Sequence, residues 1–276
     1  MSDIESHCGP EGLPLSVRRY VYRKEGFAKI VDFERERFFR LMHPKRALRS
    51  GIYQNENSIT PESQEGAEYV VFSIETATHA RDFLDPNIDS NRSMRTTYYQ
   101  NESSLAVKMV LHEHEELTVS LQSAIDEALD TMGLKRSIYH YNTTTFSVAN
   151  GSKQPDAAWR PRRPPYGAPG RPAVVVETAI SETDAKLLRD VGRWLDPMDD
   201  LAKAVLAIEA ADGLPKLPSE ESNGGDEVTV NGGPLLIPFD LLLLRPADPP
   251  RDYEIVISIQ ELKEIAQIVW EIQFSD

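Results

Sequence analysis

Apolar side chains recur at intervals of three and four residues in three segments, which predicts three amphipathic helices. The segments are residues 113–133, 181–196 and 258–274. In the first segment, Leu117, Leu121, Ile125 and Leu129 share one side, and Gly133 is a natural helix end. We therefore expect each of these segments to bury one face against the rest of the fold.

Short runs rich in branched and aromatic residues predict β-strands between and beside these helices. The runs are residues 69–74, 137–148 (one or two strands), 152–159, 173–178, 203–210 and 235–244. The run AVVVET at 173–178 is continuously apolar, as in a strand covered on both faces. Strands that alternate with helices along a chain are typical of an α/β protein.

The pattern also predicts how the chain is divided. Residues 1–15 are expected to be a flexible tail, and residues 16–104 an N-terminal extension that is basic at first and polar later. Residues 105–276 are expected to form the main domain, with an acidic surface loop at 211–233. The Pro- and Gly-rich segment 160–172 predicts a loop without regular structure.

Charge is distributed unevenly along the chain. The net charge is −14, yet residues 16–50 contain eleven Lys and Arg against four Asp and Glu. One hypothesis is that this segment packs on the acidic body of the protein. The other is a phosphate-contacting arm that includes Arg18, Arg19 and Arg23.

Other sequence features predict a protein of the cytoplasm or nucleus. Cys8 is the sole cysteine, so the fold does not depend on an internal disulfide. The first residues lack a secretory signal pattern, and no apolar run is long enough to cross a membrane. There is no P-loop, GxGxxG or HExxH motif, so enzymes that depend on those motifs are not indicated.

The middle of the chain resembles the PD-(D/E)XK, or restriction-endonuclease-like, superfamily. The resemblance covers residues 105–210 and is carried by KQPDAAWRP at 153–161 and PAVVVETAISETDAKLLRDVGRWLD at 172–196. Within the superfamily, the chain resembles uncharacterised fungal members and a group of bacterial members. The resemblance implies an α/β restriction-endonuclease-like core, a central mixed sheet flanked by helices, here with an N-terminal extension.

The same resemblance implies a site for Mg²⁺ or Mn²⁺. Asp156 and Glu177 would bind the cation, with a backbone carbonyl near Thr178 as a further ligand and Glu116 from the first helix as another. Oxygen ligands suit such hard cations, which polarise a phosphate and activate water for hydrolysis. Glu116 has a second interpretation, because acids near a helix start also complement the helix dipole.

The sequence departs from the superfamily motif at one position. A lysine is expected two residues after the second acid, where its charge stabilises the transition state. Here that position is Ala179. Lys186 in the following helix and Gln154, two residues before Asp156, are the candidate replacements, although Lys186 could equally be a solvated helix lysine.

Two functions from different classes remain open. In the first, the protein is a Mg²⁺- or Mn²⁺-dependent nuclease acting on DNA or RNA, with Arg160, Arg162, Arg163 and Arg171 contacting phosphates beside the cleft. The alternative is a catalytically degenerate scaffold that binds nucleic acid or a protein, or forms a homo-oligomer. The same arginines could also be an inert basic surface.

Overall fold

Two mixed β-sheets, a two-stranded antiparallel sheet and six helices make up the part of the protein that the computed structural model describes. The described residues are 9–43, 67–84, 94–168, 170–179, 184–196, 202–209 and 230–274. The strands are β1 (Arg19–Val21), β2 (Tyr69–Ser73), β3 (Met94–Tyr99), β4 (Ser104–Met109), β5 (Ile138–His140), β6 (Phe146–Val148), β7 (Gly151–Lys153), β8 (Ala157–Pro161), β9 (Val174–Ala179), β10 (Ala204–Glu209), β11 (Leu235–Ile237) and β12 (Ile255–Ile257).

The helices account for most of the sequence periodicity described above. They are α1 (Lys24–Met42), α2 (Thr76–Phe83), α3 (His112–Thr131), α4 (Asp184–Trp194), α5 (Phe239–Leu243) and α6 (Ile259–Phe274). A short 3₁₀ turn, Lys135–Ser137, joins α3 to β5. Among the described residues, none of these helices has the length and apolar character needed to cross a bilayer. The protein is thus a mixed α/β fold.

The larger sheet has six strands in the order β1-β2-β4-β3-β7-β6. Alternate residues of β4 face opposite sides, as the pleat requires. Leu105 and Val107 join the cluster under α1, which includes Phe38. Ala106 lies on the opposite face with Leu13, and Lys108 follows on that same face because it is two residues further along β4.

The smaller sheet has four strands in the order β10-β9-β8-β5, with β9 and β10 parallel and the other pairs antiparallel. Helices cover both of its faces. Val174 and Val176 of β9 pack in the cluster that contains Ile125 of α3. Val175, between them, packs against Trp194 of α4 on the other face. This sheet is therefore buried on both sides, as the apolar run at 173–178 predicted.

The structure corrects two of the sequence-based strands. Residues 152–159 do not form one strand: β7 ends at Lys153 in the six-stranded sheet, and β8 begins at Ala157 in the four-stranded sheet. Residues 235–244 form β11 followed by α5, separated by Pro238. Short apolar runs do not distinguish a buried strand from a buried helix turn, and the proline marks the change.

The predicted division of the chain also changes. Strands β2 and β3 from the extension pair with β4, so one sheet runs across the predicted boundary at residue 104. Within the predicted tail, residues 9–15 are packed: Leu13 is fully buried, and the buried carboxylate of Glu11 pairs with Arg19. Residues 1–8 of the predicted tail and residues 211–229 of the predicted acidic loop lie outside the described residues.

Candidate active site between the two sheets

The two predicted acids lie at the same end of the four-stranded sheet. Asp156 immediately precedes β8, and Glu177 lies in β9. These strands are antiparallel, with Ala157 opposite Val176, so the start of one strand meets the end of the other. Both carboxyl groups are buried, with exposed fractions of 1% for Asp156 and 3% for Glu177.

Asp156 is surrounded by groups from four elements. Its Oδ2 accepts hydrogen bonds from the Thr178 amide and hydroxyl at 2.9 and 3.0 Å and from Lys108 Nζ at 3.1 Å. His114 Nε2 of α3 lies 3.2 Å from the same oxygen. Arg95 Nε of β3 lies 4.0 Å from Oδ1. The ammonium of Lys108 also donates to the Thr178 carbonyl oxygen.

Glu177 begins a second chain of buried charges. Its Oε1 accepts the indole N–H of Trp194 at 2.5 Å, and its Oε2 accepts from Lys153 Nζ at 3.3 Å. Lys153 also donates to Asp190 Oδ2 at 2.7 Å, and Lys186 donates to that same oxygen. The predicted residue Lys186 is therefore linked to Glu177 through Asp190 and Lys153.

The environments separate the pKa values of the two acids. Burial would raise the pKa of Asp156, but interactions with His114 and Lys108 hold it well below its usual value. Burial raises the pKa of Glu177 to about 7; Lys153 opposes this rise and Asp156 adds to it. Two neighbouring carboxyl groups whose pKa values are pushed apart are typical of acid–base sites.

Two lysines that the sequence analysis did not select stand beside the acids. Lys108 comes from β4 and Lys153 from β7, both in the six-stranded sheet. Lys108 places an ammonium group at Asp156, and Lys153 places one at Glu177. A lysine within the otherwise apolar run LAVKMV at 105–110 was the signal for Lys108 available in the sequence.

Gln154 does not face the acids. Its Oε1 accepts from the Thr96 amide and hydroxyl, and its Nε2 donates to the Thr143 carbonyl and the Thr145 hydroxyl. The prediction assumed an extended strand through Asp156, in which residues two apart share a face. Residues 154–156 instead connect two different sheets, so that alternation does not apply.

The helix residue that reaches the site is His114 rather than Glu116. His114 Nε2 contacts the Thr178 hydroxyl at 2.5 Å in addition to Asp156. Glu116 is half-buried on α3 and accepts a hydrogen bond from Ser120 one turn later. The structure therefore gives Glu116 a local helix contact and places a histidine at the acids.

The arginines of the loop lie at the other end of the strands. Arg160 is near the end of β8, Arg162 and Arg163 follow it, and Arg171 precedes β9. Six extended residues span about 20 Å, so Arg162 is about that far from Asp156 along the strand. The expected position beside the acids is corrected accordingly.

Two arginines of the predicted basic arm form ion pairs within the protein. Arg18 pairs with the buried carboxylate of Glu34 at 3.2 Å, and Arg19 pairs with Glu11 at 2.9 Å. Arg23 precedes α1 and is exposed. Both pairs lie within the N-terminal part of the chain. That part packs on the rest through α1, whose Phe38 lies in one cluster with Leu105 and Val107 of β4, as one of the two hypotheses expected.

The oxygen atoms around Asp156 fit a hard cation in character, although a lysine occupies the space between them. Among the described residues, Asp156 Oδ1 is buried without a hydrogen-bond donor. Lys108 contacts Asp156 Oδ2 and the Thr178 carbonyl, the two oxygens predicted as ligands. No cluster of three or more His, Cys, Asp or Glu side chains suited to a metal occurs in the described ranges.

No protein-family model, curated protein or solved structure matches this chain. The site is therefore interpreted from its own geometry. That geometry consists of two buried carboxyl groups with separated pKa values, one lysine beside each of them, and a histidine.

Proposed function

We propose that this chain contains a PD-(D/E)XK-like core that hydrolyses phosphodiester bonds of DNA or RNA with Mg²⁺ or Mn²⁺. The chain passes in turn through α3, β5, β8, β9, α4 and β10, and the four strands among these form one sheet. This arrangement is compatible with the predicted core. Strands β6 and β7 interrupt this order and belong to the other sheet.

The observation that carries the proposal is the placement of Lys153 beside Glu177. The motif lysine is absent at position 179, yet an ammonium group from β7 lies 3.3 Å from the second acid. Burying ions costs several kcal/mol each unless they are well paired, and apolar residues are often as stable in their place. Several buried lysines and acids at this position therefore favour a catalytic role over a purely structural one.

The proposed roles follow from the contacts. Asp156, Glu177 and the Thr178 carbonyl would hold the cation, and Lys153 would stabilise negative charge on the phosphate. A bound Mg²⁺ or Mn²⁺ would polarise the phosphate and lower the pKa of a water molecule. Glu177, whose pKa is raised to about 7 by burial, would give up its proton on binding the cation, because a carboxyl group must be deprotonated to act as a ligand.

Calorimetry with Mn²⁺ tests the cation site without a choice of substrate. We expect one saturable site in the wild type that is lost in Asp156→Asn and retained in Glu115→Gln, a matched control at an exposed position of α3. Circular dichroism verifies that each variant is folded. Absence of binding by the folded wild type would overturn the metal-dependent mechanism.

Cleavage assays test the reaction itself. Plasmid DNA and single-stranded RNA are incubated with Mg²⁺, with Mn²⁺ or with chelator. Divalent-dependent cleavage should disappear in Lys153→Gln and persist in Lys29→Gln, which changes an exposed lysine of α1. Cleavage that is unaffected by Lys153→Gln would remove this lysine from the mechanism.

The second candidate is a non-catalytic scaffold, and the observation that supports it is the low solvent access of the acids. Asp156 and Glu177 each form an ion pair with a lysine and are almost fully covered. A scaffold should bind nucleic acid without divalent ions, in a salt-sensitive manner that survives Asp156→Asn. Arg23→Gln should weaken that binding, whereas changes at Arg18 or Arg19 would also disturb buried ion pairs.

A further inference from the structure

A cavity of about 610 Å³ lies at the end of β8 remote from the acids. Small-molecule sites typically enclose roughly 300–1,000 Å³. Four arginines line the cavity: Arg136, Arg162, Arg163 and Arg245. They come from the 3₁₀ turn after α3, from the end of β8 and from the segment after α5, so three separate parts of the chain bring positive charge to one concave surface.

Two of these arginines are held in place. Arg162 Nε donates to the Ile138 carbonyl at 3.0 Å, and its guanidinium lies 4.6 Å from the Tyr139 ring centroid. Arg245 donates to Asp252 at 2.6 Å and lies 4.7 Å from the Phe239 ring centroid. Guanidinium groups fixed in this way lose little further freedom when they bind a ligand.

The other two arginines have their charge available. In the described part of the chain, no carboxylate pairs with Arg136 or Arg163, and both are exposed. Among the residues that the structure describes, no acidic side chain lines the cavity, in a protein whose net charge is −14. Such a local excess of positive charge attracts anions.

The residue before Arg245 has an uncommon backbone conformation. Leu244 adopts a left-handed conformation with φ of 54°, which is uncommon for a leucine. This turn ends α5 and brings Arg245 to the cavity. Strained backbone persists where the surrounding structure imposes it, and it is frequent at ligand sites.

The cavity also has an apolar part. Leu134, Pro161 and the buried Leu243 line it together with the arginines. A ligand that is entirely polar would leave these side chains unused, whereas a ring system could pack on them. The combination suits a molecule with a phosphate group at one end and a ring at the other.

We propose that this cavity binds a small phosphorylated ligand of nucleotide size. Its phosphates would contact Arg136, Arg162, Arg163 and Arg245, and its ring would pack on Leu134 and Leu243. The site lies about 20 Å along β8 from Asp156. The inference therefore does not rest on the proposed hydrolysis.

Calorimetry with ADP and with inorganic pyrophosphate tests the proposal. The wild type should bind ADP saturably and pyrophosphate more weakly, because pyrophosphate lacks the ring. The double variant Arg136→Gln/Arg163→Gln should bind ADP at least about tenfold more weakly, because it loses two charged donors to the phosphates. Lys135→Gln, which removes an exposed neighbouring charge outside the cavity, should leave binding unchanged.

Two outcomes would overturn the proposal. The first is the absence of saturable ADP binding, including the case in which a single-stranded oligonucleotide binds through these arginines instead. The second is ADP binding that Arg136→Gln/Arg163→Gln leaves intact. Neither result would affect the Mn²⁺ measurement at Asp156, so this test and the test of the proposed function fail separately.

Discussion

Asp156 and Glu177 are neighbouring carboxyl groups with opposite protonation behaviour, because their surroundings differ. Asp156 accepts four polar contacts on one oxygen, three of them from Thr178 and Lys108 and one from His114. Glu177 has one lysine and one neutral indole donor. The surroundings of Asp156 favour its charged form. The donors around Glu177 offset only part of the rise in pKa that burial causes.

Replacing Glu177 by glutamine should change how stability depends on pH. The pKa of Glu177 is raised from 4.5 to about 7 by burial, so the folded state keeps a proton that the unfolded chain has released. Because the unfolded chain loses this proton first, the free energy of unfolding of the wild type falls between pH 4.5 and 7, by about 3 kcal/mol in all. Urea unfolding from pH 4.5 to 8 should show that the free energy of unfolding of the wild type falls relative to that of Glu177→Gln as pH rises. A difference independent of pH would contradict the raised pKa.

Replacing Lys108 by methionine should strengthen cation binding. Its ammonium contacts the same two oxygens that a cation would use, at Asp156 and Thr178, so the two compete. A unit charge within 4 Å is worth several kcal/mol at an effective dielectric of 20, so affinity for Mn²⁺ should rise at least about tenfold. Calorimetry measures this, with Lys29→Met as the same change at an exposed position. Equal affinities for Lys108→Met and wild type would show that the cation does not use these oxygens.

The sequence was sufficient to select Asp156, Glu177 and Lys186 as candidate site residues, because each stands at a recognisable place relative to a strand or helix. It was not sufficient to place Lys108 and Lys153 beside the acids. Those contacts cross between two sheets, and the pairing of sheets leaves no local pattern along the chain. Gln154 was misplaced for the same reason, since the change of sheet occurs beside it.

At the scale of elements, β7 depends on a glycine. Gly151 has φ of 153°, and a Cβ there would lie 1.9 Å from the Tyr98 carbonyl oxygen in β3. Gly151→Ala should therefore separate β7 from β3 and destabilise the fold by about 3 kcal/mol or more. Since β7 carries Lys153, the contact with Glu177 should weaken as well. Thermal unfolding measures the loss.

Gly26 provides the matched control for that prediction. It lies in α1, where an added Cβ meets no atom within 4 Å. Gly26→Ala should raise stability by roughly 0.5–1 kcal/mol, because alanine has the better helix propensity. Similar effects at the two positions would contradict the close approach of β7 to β3.

Elements with strong periodicity were predicted well, and polar ones were missed. Helices α3 and α6 each begin and end within two residues of the predicted segments. Helix α2 and strand β3 lie in a stretch rich in threonine, arginine and tyrosine, without a clear apolar face. Their stability comes from partners such as β4 rather than from local preference, so the sequence alone did not reveal them.

At the scale of the whole molecule, the extension and the main domain share a sheet. A fragment of residues 105–276 would leave β4 without β2 and β3, and would uncover Leu105, Val107 and Met109, which are at most 1% exposed. This fragment should therefore not fold cooperatively on its own. Circular dichroism with urea titration measures this against the full chain. A cooperative transition of the fragment near that of the full chain would restore the sequence-based boundary.

The hydrogen bond from Trp194 to Glu177 turns one tryptophan into an optical reporter. Trp194 is fully buried, and its indole N–H points at the carboxyl group whose pKa is about 7. Its fluorescence should therefore change with a midpoint near pH 7, and Glu177→Gln should abolish that change. Trp159 is buried without such a contact, and Trp270 is 39% exposed, so neither should follow the same titration. Protonation of the site can thus be followed in the unlabelled protein.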